Sequence, residues 1–381
     1  MTDLRYTSSV SNINSDQKVV QMAEKVWDWE PQTAPFLKLL TLSSQGKKGV
    51  KGTHFYHLEQ QRLAVSTTTT ATHTNSVTTL KLTSTDFLQP NDVIKNTTTD
   101  ENMLVATIVS SNSITVTRGW GEVSGTAMSA SGQTIIKLGP AYADGADKNT
   151  PLQRLLDTGY NVIQNFRKEC GLDWSTDATK MYSGSERERL RKDTMIELKR
   201  QMEQQFLFGQ LKVGGTNNAP QRQTRGLKYF ISTNVHNIAG ALTEPTFLGH
   251  LESDFAYGSS KKVLLGGARF ITAISTWGLN RMRANEAMTK TLGISVQGYR
   301  CPFGELDIVW HQLLDRMGYS GSAFVVDPDC VQYTYQNGKD FQMRPNIQNP
   351  GEHKYIDEFY AYAGLDMMVE KAHAYFYGVT G

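Results

Sequence analysis

The most constraining feature of this sequence is an amphipathic, highly charged stretch from Ser185 to Gly209. Ser185 followed by Glu188 has the spacing of a capping box, in which each side chain satisfies a backbone donor at a helix start. Glycine is the residue type that commonly ends a helix, as Gly209 would here. One mostly apolar stripe recurs every fourth residue, at Leu190, Thr194, Leu198, Met202 and Phe206. The sequence therefore predicts a helix about 35 Å long that packs along another layer through one face.

The other faces of this predicted helix carry charges of both signs, one turn apart. This spacing allows ion pairs on a helix surface. The pairs predicted are Glu188 with Lys192, Arg189 with Asp193, and Lys199 with Glu203. An ordinary amphipathic helix on a globular core has the same pattern, so the helix alone does not identify a function.

Length and charge exclude some classes of protein. A chain of 381 residues predicts two or three domains. With 39 basic and 37 acidic residues the net charge is +2, and the basic stripe of a strong nucleic-acid binder is missing. One dense basic group, formed by Lys47, Lys48 and Lys51, lies in a glycine-rich turn. A solvated loop and a contact with phosphate or an acidic partner both remain open for it, although its spacing departs from a phosphate-binding loop.

We expect no cofactor, no metal site and no catalytic centre. The three cysteines are odd in number and far apart, which fits neither a zinc site nor a disulfide framework. His54 and His57 stand three apart in a predicted strand, so they point to opposite faces. Asp327 and Asp329 lie near Cys330, but no basic neighbour that would activate the thiol is evident. Enzymatic activity therefore remains only as a less favoured alternative.

The N-terminus lacks the features of a secretory signal, and no apolar run reaches the length of a membrane span. Both observations predict a protein made in a cytoplasm, without membrane insertion. Residues 1–45 are polar apart from a few large apolar side chains, notably Trp27, Trp29 and Phe36. A polar segment with such anchors predicts an arm that packs on its own domain or on a neighbour.

The middle of the chain changes character between residues 64 and 140. Short β-rich runs recur there at intervals of about ten residues, a pattern typical of a small antiparallel sandwich or barrel. The threonine run Thr67–Thr70 is interpreted as a solvated linker into this module. Extended segments at 46–63 and 141–183 flank it, which predicts a long two-stranded loop with a β domain at its tip.

The remainder predicts an α+β fold. The Arg225–Gly226 pair marks a tight turn after the long helix. Residues 232–345 mix helix-like and strand-like runs, indicating an α/β layer. An aromatic-rich extended segment, interrupted at Gly364, closes the chain and is expected to pair beside the long helix.

Five short motifs accompany this order of elements: ELKRQMEQQFLFG at 197–209, QTRGLKYFI at 223–231, PNDVIKN at 90–96, ITVTRGWGEVSGTA at 114–127 and AGLDMMVEKAHAYFYGV at 363–379. In these motifs and in its layout, the chain resembles tailed-bacteriophage major capsid proteins with the Hong Kong 97-like fold. The more specific resemblance is to the family that carries a β-domain insertion in the extended loop.

This resemblance implies an α+β capsid fold in six regions. They are an N-terminal arm (1–45), an extended loop (46–63 and 141–183), an inserted small all-β domain (64–140), a peripheral domain with the long spine helix (184–231), an axial domain (232–345), and closing strands of the peripheral and axial domains (346–381). The implied function is a major capsid protein that self-assembles as hexamers and pentamers into the icosahedral shell around phage double-stranded DNA.

The resemblance also implies roles for particular residues. The apolar stripe of the spine helix is expected to support assembly through Leu190, Leu198, Met202 and Phe206. The turn after this helix is formed by Arg225 and Gly226. Candidate anchors between subunits are Trp27, Trp29, Phe36, Lys47, Lys48 and Lys51.

The implied partners are further copies of this chain, with portal and scaffolding proteins and, as an open question, a cement or decoration protein. No coiled-coil scaffold segment precedes the arm, which favours a separate scaffolding protein. DNA would be enclosed without sequence-specific binding, in a virion assembled in the host cytoplasm. An encapsulin-like nanocompartment shell and a phage tail structural protein remain alternatives.

Overall fold

The computed structural model describes residues 34–43, 45–145, 151–154, 156–179, 184–216, 219–278, 282–284 and 296–380. The helices are α1 Pro35–Leu42, α2 Trp174–Ala178, α3 Glu186–Phe208, α4 Leu227–Phe230, α5 Glu244–Asp254, α6 Ala268–Gly278 and α7 Gln312–Arg316. No helix in this described part combines the length and the apolar character needed to cross a membrane.

The strands follow the same chain order. The first eleven are β1 Lys47–Val50, β2 His54–Glu59, β3 Ser66–Thr68, β4 Thr79–Lys81, β5 Asp92–Asn96, β6 Asn102–Ser110, β7 Ser113–Thr117, β8 Thr134–Pro140, β9 Asp157–Val162, β10 Gln164–Asp173 and β11 Lys212–Thr216. The others are β12 Ala219–Gln223, β13 Val235–Gly240, β14 Lys261–Gly266, β15 Met282–Ala284, β16 Val296–Cys301, β17 Gly304–Trp310, β18 Ala323–Val326, β19 Val331–Gln336, β20 Gln342–Arg344, β21 Lys354–Met367 and β22 Ala374–Val379.

The chain divides into two compact units. The larger contains the residues up to His57 and those from Gly159 onward, and the smaller is Leu58–Thr158. Strand β2 pairs with β9, so the chain enters and leaves the smaller unit through neighbouring strands.

The smaller unit is a closed antiparallel barrel. Its sheet order is β3-β8-β5-β6-β7-β4, and the two edge strands meet because the Thr83 N–H donates to the Thr68 carbonyl oxygen (2.9 Å) and Thr69 bridges to Leu82. The prediction that Thr67–Thr70 is a solvated linker is therefore wrong. Thr67 and Thr69 are buried because alternate residues of a strand face the interior. The apolar core of the barrel comprises Leu80, Leu82, Phe87, Leu88, Ile94, Met103, Val105, Ile114, Val116, Met128 and Ile135.

In its described residues the larger unit contains two large sheets, besides the two-stranded sheet of β11 and β12. The first has the order β1-β19-β21-β10, with β20 also paired to β21, and the second has the order β13-β22-β18-β14-β17-β16-β15. The central strands β14 and β18 of the second sheet are buried on both faces. Val263 and Leu265 of β14 join the core that α1 and α3 share, while the intervening Leu264 packs in the core of α5 and α6.

The boundary predicted at residue 345 divides the first sheet, because β19 and β20 precede it and β21 follows it. The last two strands, β21 and β22, lie in the first and the second sheet respectively. The predicted interruption at Gly364 is also absent, since β21 runs unbroken from Lys354 to Met367. Glycine is required at position 364 for close packing: a Cβ there would lie 2.8 Å from the Val162 carbonyl oxygen and 2.8 Å from the Phe55 ring.

Candidate functional site

The spine helix α3 is the centre of the larger unit's first core. Ser185 caps it, accepting from the Glu188 N–H at 3.4 Å. Leu198, Met202 and Phe206 are at most 1% exposed, and the Phe206 ring packs edge-on against Phe166 of β10 at 6.0 Å. Each fully buried side chain of this size contributes roughly 1.5–3 kcal/mol relative to exposure.

Leu190, the fourth predicted stripe residue, is only half-buried, so the close packing of the stripe belongs to the C-terminal half of α3. The N-terminal half of α3 is held against β21 by ion pairs. Asp357 of β21 accepts from the guanidinium groups of Arg187 (2.8 and 2.9 Å) and Arg191 (2.8 Å), and from the Asn346 N–H (2.9 Å). Burial by itself raises the pKa of Asp357, but these donors outweigh it and hold that pKa well below its usual range.

A second carboxylate joins three elements near the other end of α3. Glu203 is fully buried, and its two oxygens accept from the backbone N–H groups of Phe36 and Leu37, both at 2.7 Å. These are among the first donors of α1, whose N-cap residue Ala34 supplies no side-chain cap. A carboxylate at this position satisfies free donors and complements the helix dipole.

Glu203 also binds His311, which directly follows β17. His311 Nε2 lies 2.8 Å from Glu203 Oε1, and both side chains are completely buried. The predicted ion pair of Lys199 with Glu203 is therefore wrong, and Lys199 instead lies 5.5 Å from the centre of the Phe341 ring. The surface pair Arg189–Asp193 is confirmed at 2.9 Å.

The turn after α3 packs on the end of the helix. The Gly226 N–H donates to the Gly209 carbonyl oxygen at 2.8 Å. A Cβ on Gly226 would lie 2.7 Å from the Gln205 carbonyl oxygen, and one on Gly209 would lie 2.5 Å from the Thr224 carbonyl oxygen. The predicted helix end at Gly209 is confirmed, since α3 ends at Phe208 and Gly209 is its C-cap residue, with a φ of −62°. Both glycines are required by close backbone approach.

Side chains from other strands hold this turn in position. The amide of Asn161 in β9 accepts from the Arg225 N–H (2.9 Å) and donates to the carbonyl oxygens of Arg225 (3.1 Å) and Leu365 (2.7 Å). Gln205 of α3 donates to the Thr224 carbonyl oxygen at 2.9 Å. Residues 224–226 are thus bonded to α3, β9 and β21 together.

The predicted inter-subunit anchors have different environments. Phe36 is completely buried in its own chain against α3, so its prediction as an anchor between subunits is wrong. Lys47 pairs with Asp340 (2.9 Å), and Lys48 lies 3.7 Å from Asp366. Lys51 is exposed. Trp27 and Trp29 lie outside the described residues.

Sequence reasoning missed Glu203, His311, Asp357 and Asn161. No local pattern marks them, because each acts through a partner more than 60 positions away in the chain. Within the described ranges, no group of three or more His, Cys, Asp or Glu side chains is arranged to hold a metal ion.

A long helix along one mixed sheet, joined to a second mixed sheet, is the Hong Kong 97-like arrangement of phage capsid subunits. The capsid structure of cyanophage P-SCSP1u has this fold with a TM-score of 0.50, covering 99% of this chain and 99% of that one at 8% identity. The family model of the SU10 major capsid protein matches residues 5–380, and the chain belongs to this family of tailed-phage major capsid proteins. It is 24% identical over 351 residues to the major capsid protein of Pseudomonas phage PaMx41, covering 88% of this chain and 82% of the relative.

Proposed function

We propose that this major capsid protein self-assembles as hexamers and pentamers into a closed icosahedral shell that encloses double-stranded DNA. The observation that carries the proposal is the match of nearly the whole chain to a family of capsid proteins. The described packing is consistent with such a subunit, because α3 is bonded at both ends within its own chain.

Contacts between subunits would be made by surfaces that stay exposed in the single chain. Tyr56 of β2 and Tyr160 of β9 lie with their ring centres 6.0 Å apart, yet they remain 61% and 47% exposed. Exposed aromatic pairs favour a partner surface. This supports the proposal that the extended loop lies across a neighbouring subunit.

The basic group Lys47, Lys48 and Lys51 stays a candidate anchor in this proposal, together with Trp27 and Trp29. Lys47 retains 40% and Lys48 retains 45% side-chain exposure despite their bonds within the chain. A net charge of +2 supports a shell that encloses DNA without binding it tightly.

The proposed partners beyond further copies of this chain are a portal and a separate scaffolding protein, with assembly in the host cytoplasm. Negative-stain microscopy of the chain expressed alone and with its scaffolding protein tests this. We expect uniform closed shells only in the second sample. Monomers, rings or tubes in both samples would contradict the shell, whereas uniform shells from the chain alone would contradict only the need for scaffolding.

A further inference from the structure

The two sheets of the larger unit are joined by a short crossover segment, residues 368–373, which links β21 to β22. A second link, residues 327–330, connects β18 to β19 in the same two sheets. The links contact each other, since the Met368 N–H donates to the Cys330 carbonyl oxygen at 2.9 Å. The conformation of the crossover segment therefore bears directly on how the sheets are connected.

The crossover segment contains a strained residue. Val369 has left-handed backbone angles, φ 55° and ψ 73°, which are rare and unfavourable for a β-branched side chain. Surrounding bonds must hold it there. The Glu370 carboxylate accepts from the backbone N–H groups of Ser232 and Thr233, both at 2.6 Å, and the Lys262 ammonium donates to the Ala372 carbonyl oxygen at 2.6 Å.

His373 ends the segment and accepts only one protonation state. Its ring is completely buried. Nδ1 accepts from the Asp327 N–H (3.3 Å), and Nε2 lies 3.2 Å from the Met368 carbonyl oxygen, so Nε2 must carry the proton. Protonation of Nδ1 would place a second N–H against the Asp327 N–H and break this bond.

We propose that residues 368–373 form a proton-operated hinge: protonation of His373 releases the segment, and the strain at Val369 favours the released conformation. The charged groups facing His373 are Lys262 of β14, Asp327 of the neighbouring link and Glu370 of the segment itself. Release would free one of the two links between the first sheet of the unit and the second. The hinge acts within one subunit and does not depend on shell formation.

The direction of the pH effect follows from the buried groups. Burial, with Lys262 nearby, lowers the pKa of His373 from 6.5 to about 4. The released state binds a proton that the closed state excludes, so the closed state loses stability as pH falls from about 6.5 toward about 4. Burial by itself raises the pKa of Glu370, but the hydrogen bonds that this carboxylate accepts outweigh burial and lower the pKa. Protonation of Glu370 as pH falls therefore also weakens the closed state.

Hydrogen–deuterium exchange of the full-length subunit tests the hinge. After correction for intrinsic exchange, the peptide covering 368–373 should exchange about 30-fold faster near pH 5 than near pH 7.5, the ratio given by pKa values of about 4 and 6.5. Barrel peptides from β6 and β7 serve as the internal reference. Equal exchange of the 368–373 peptide at both pH values would overturn the proposal.

Two variants separate the hinge from general acid sensitivity. In H373Q the neutral amide still donates to Met368 but does not titrate, so the pH effect should fall below about twofold. The control H353Q removes an exposed histidine of the same unit and should keep the full effect. An unchanged pH effect in H373Q would contradict the assignment to this residue.

V369G provides a test should H373Q fail to fold. Glycine adopts the left-handed conformation without strain, so the segment should open about fivefold less often at both pH values. The control A239G relieves another left-handed residue, with φ 48°, and should leave exchange of 368–373 unchanged. Faster or unchanged exchange in V369G would show that strain does not drive release.

Discussion

At the scale of single residues, two carboxylates position the spine helix. Near the start of α3, Asp357 accepts hydrogen bonds from two arginines. Near the end of α3, Glu203 binds the N-terminus of α1 and His311. Both carboxylates are nearly or completely buried. A buried charge is stable only when its hydrogen bonds are complete, so the loss of any one partner should be costly.

Replacing Glu203 with Gln should lower the free energy of unfolding by about 3 kcal/mol. The amide presents an NH₂ group to one of the donors that now bind the carboxylate. Equilibrium denaturation measures the loss, and limited proteolysis should show faster cleavage within α1.

The matched control is E197Q on the same helix. Glu197 pairs with Lys168 and Arg200 at the surface, and exposed pairs contribute about 0–1 kcal/mol. Equal effects of the two substitutions would contradict the role given to Glu203.

Much of the apolar stripe could be predicted from sequence, because four-residue spacing places side chains on one face of a helix. The burial of Glu203 could not be predicted from sequence, since a glutamate beside an apolar stripe normally lies in solvent. Its burial depends on α1 and His311, which lie 166 or more and 108 positions away. Phe36 was misassigned for the same reason, because the carboxylate that fixes α1 against α3 gives no signal near Phe36.

At the scale of elements, the contact of two glycines determines how the chain leaves the spine helix. Gly209 and Gly226 bring the helix end and the following turn within backbone hydrogen-bonding distance. Asn161 and Gln205 then hold the turn. The connection between the end of α3 and the turn at Gly226 is rigid, because backbone atoms fill the space that a side chain on either glycine would need.

Replacing Gly226 with Ala should destabilise the protein by about 1–3 kcal/mol, since the new methyl group would overlap backbone atoms that cannot move independently. The control is G249A within α5, where an added Cβ meets no atom within 4 Å. Alanine there should stabilise by about 0.5–1 kcal/mol through helix propensity. Thermal unfolding compares the two, and a loss in G249A matching that in G226A would refute the steric explanation.

The types of the elements could be predicted from the sequence more readily than the structural roles of particular residues. Periodicity indicates the long helix, with its end within one residue of the observed one. It does not distinguish a glycine that breaks a strand from one that permits close packing, as Gly364 shows. The threonine run at 67–70 was misread because strand pairing, which buries alternate threonines, is not visible locally.

At the scale of the whole molecule, the barrel and the larger unit have separate apolar cores. A unit with its own core folds independently of its neighbour in most proteins. The resemblance of five short motifs and of the order of elements to tailed-phage capsid proteins was enough to predict the Hong Kong 97-like α+β fold. The strand order in the two large sheets was not predictable, because it depends on pairings between distant segments.

Deleting residues 66–139 and bridging the gap with a short Gly/Ser linker should leave the larger unit folded. Circular dichroism and the thermal transition of the soluble variant measure this. We expect a cooperative transition with helix content retained. Complete loss of soluble protein would contradict independent folding of the larger unit.

The most direct test of the central claim is a cryo-electron microscopy reconstruction of particles assembled from this chain, with the proposed scaffolding protein co-expressed. We predict a closed icosahedral shell built from six-fold and five-fold clusters of the subunit, with α3 bonded through Glu203 and Asp357 in every copy. Open tubes, rings, or subunits in which α3 is detached from β21 would contradict it.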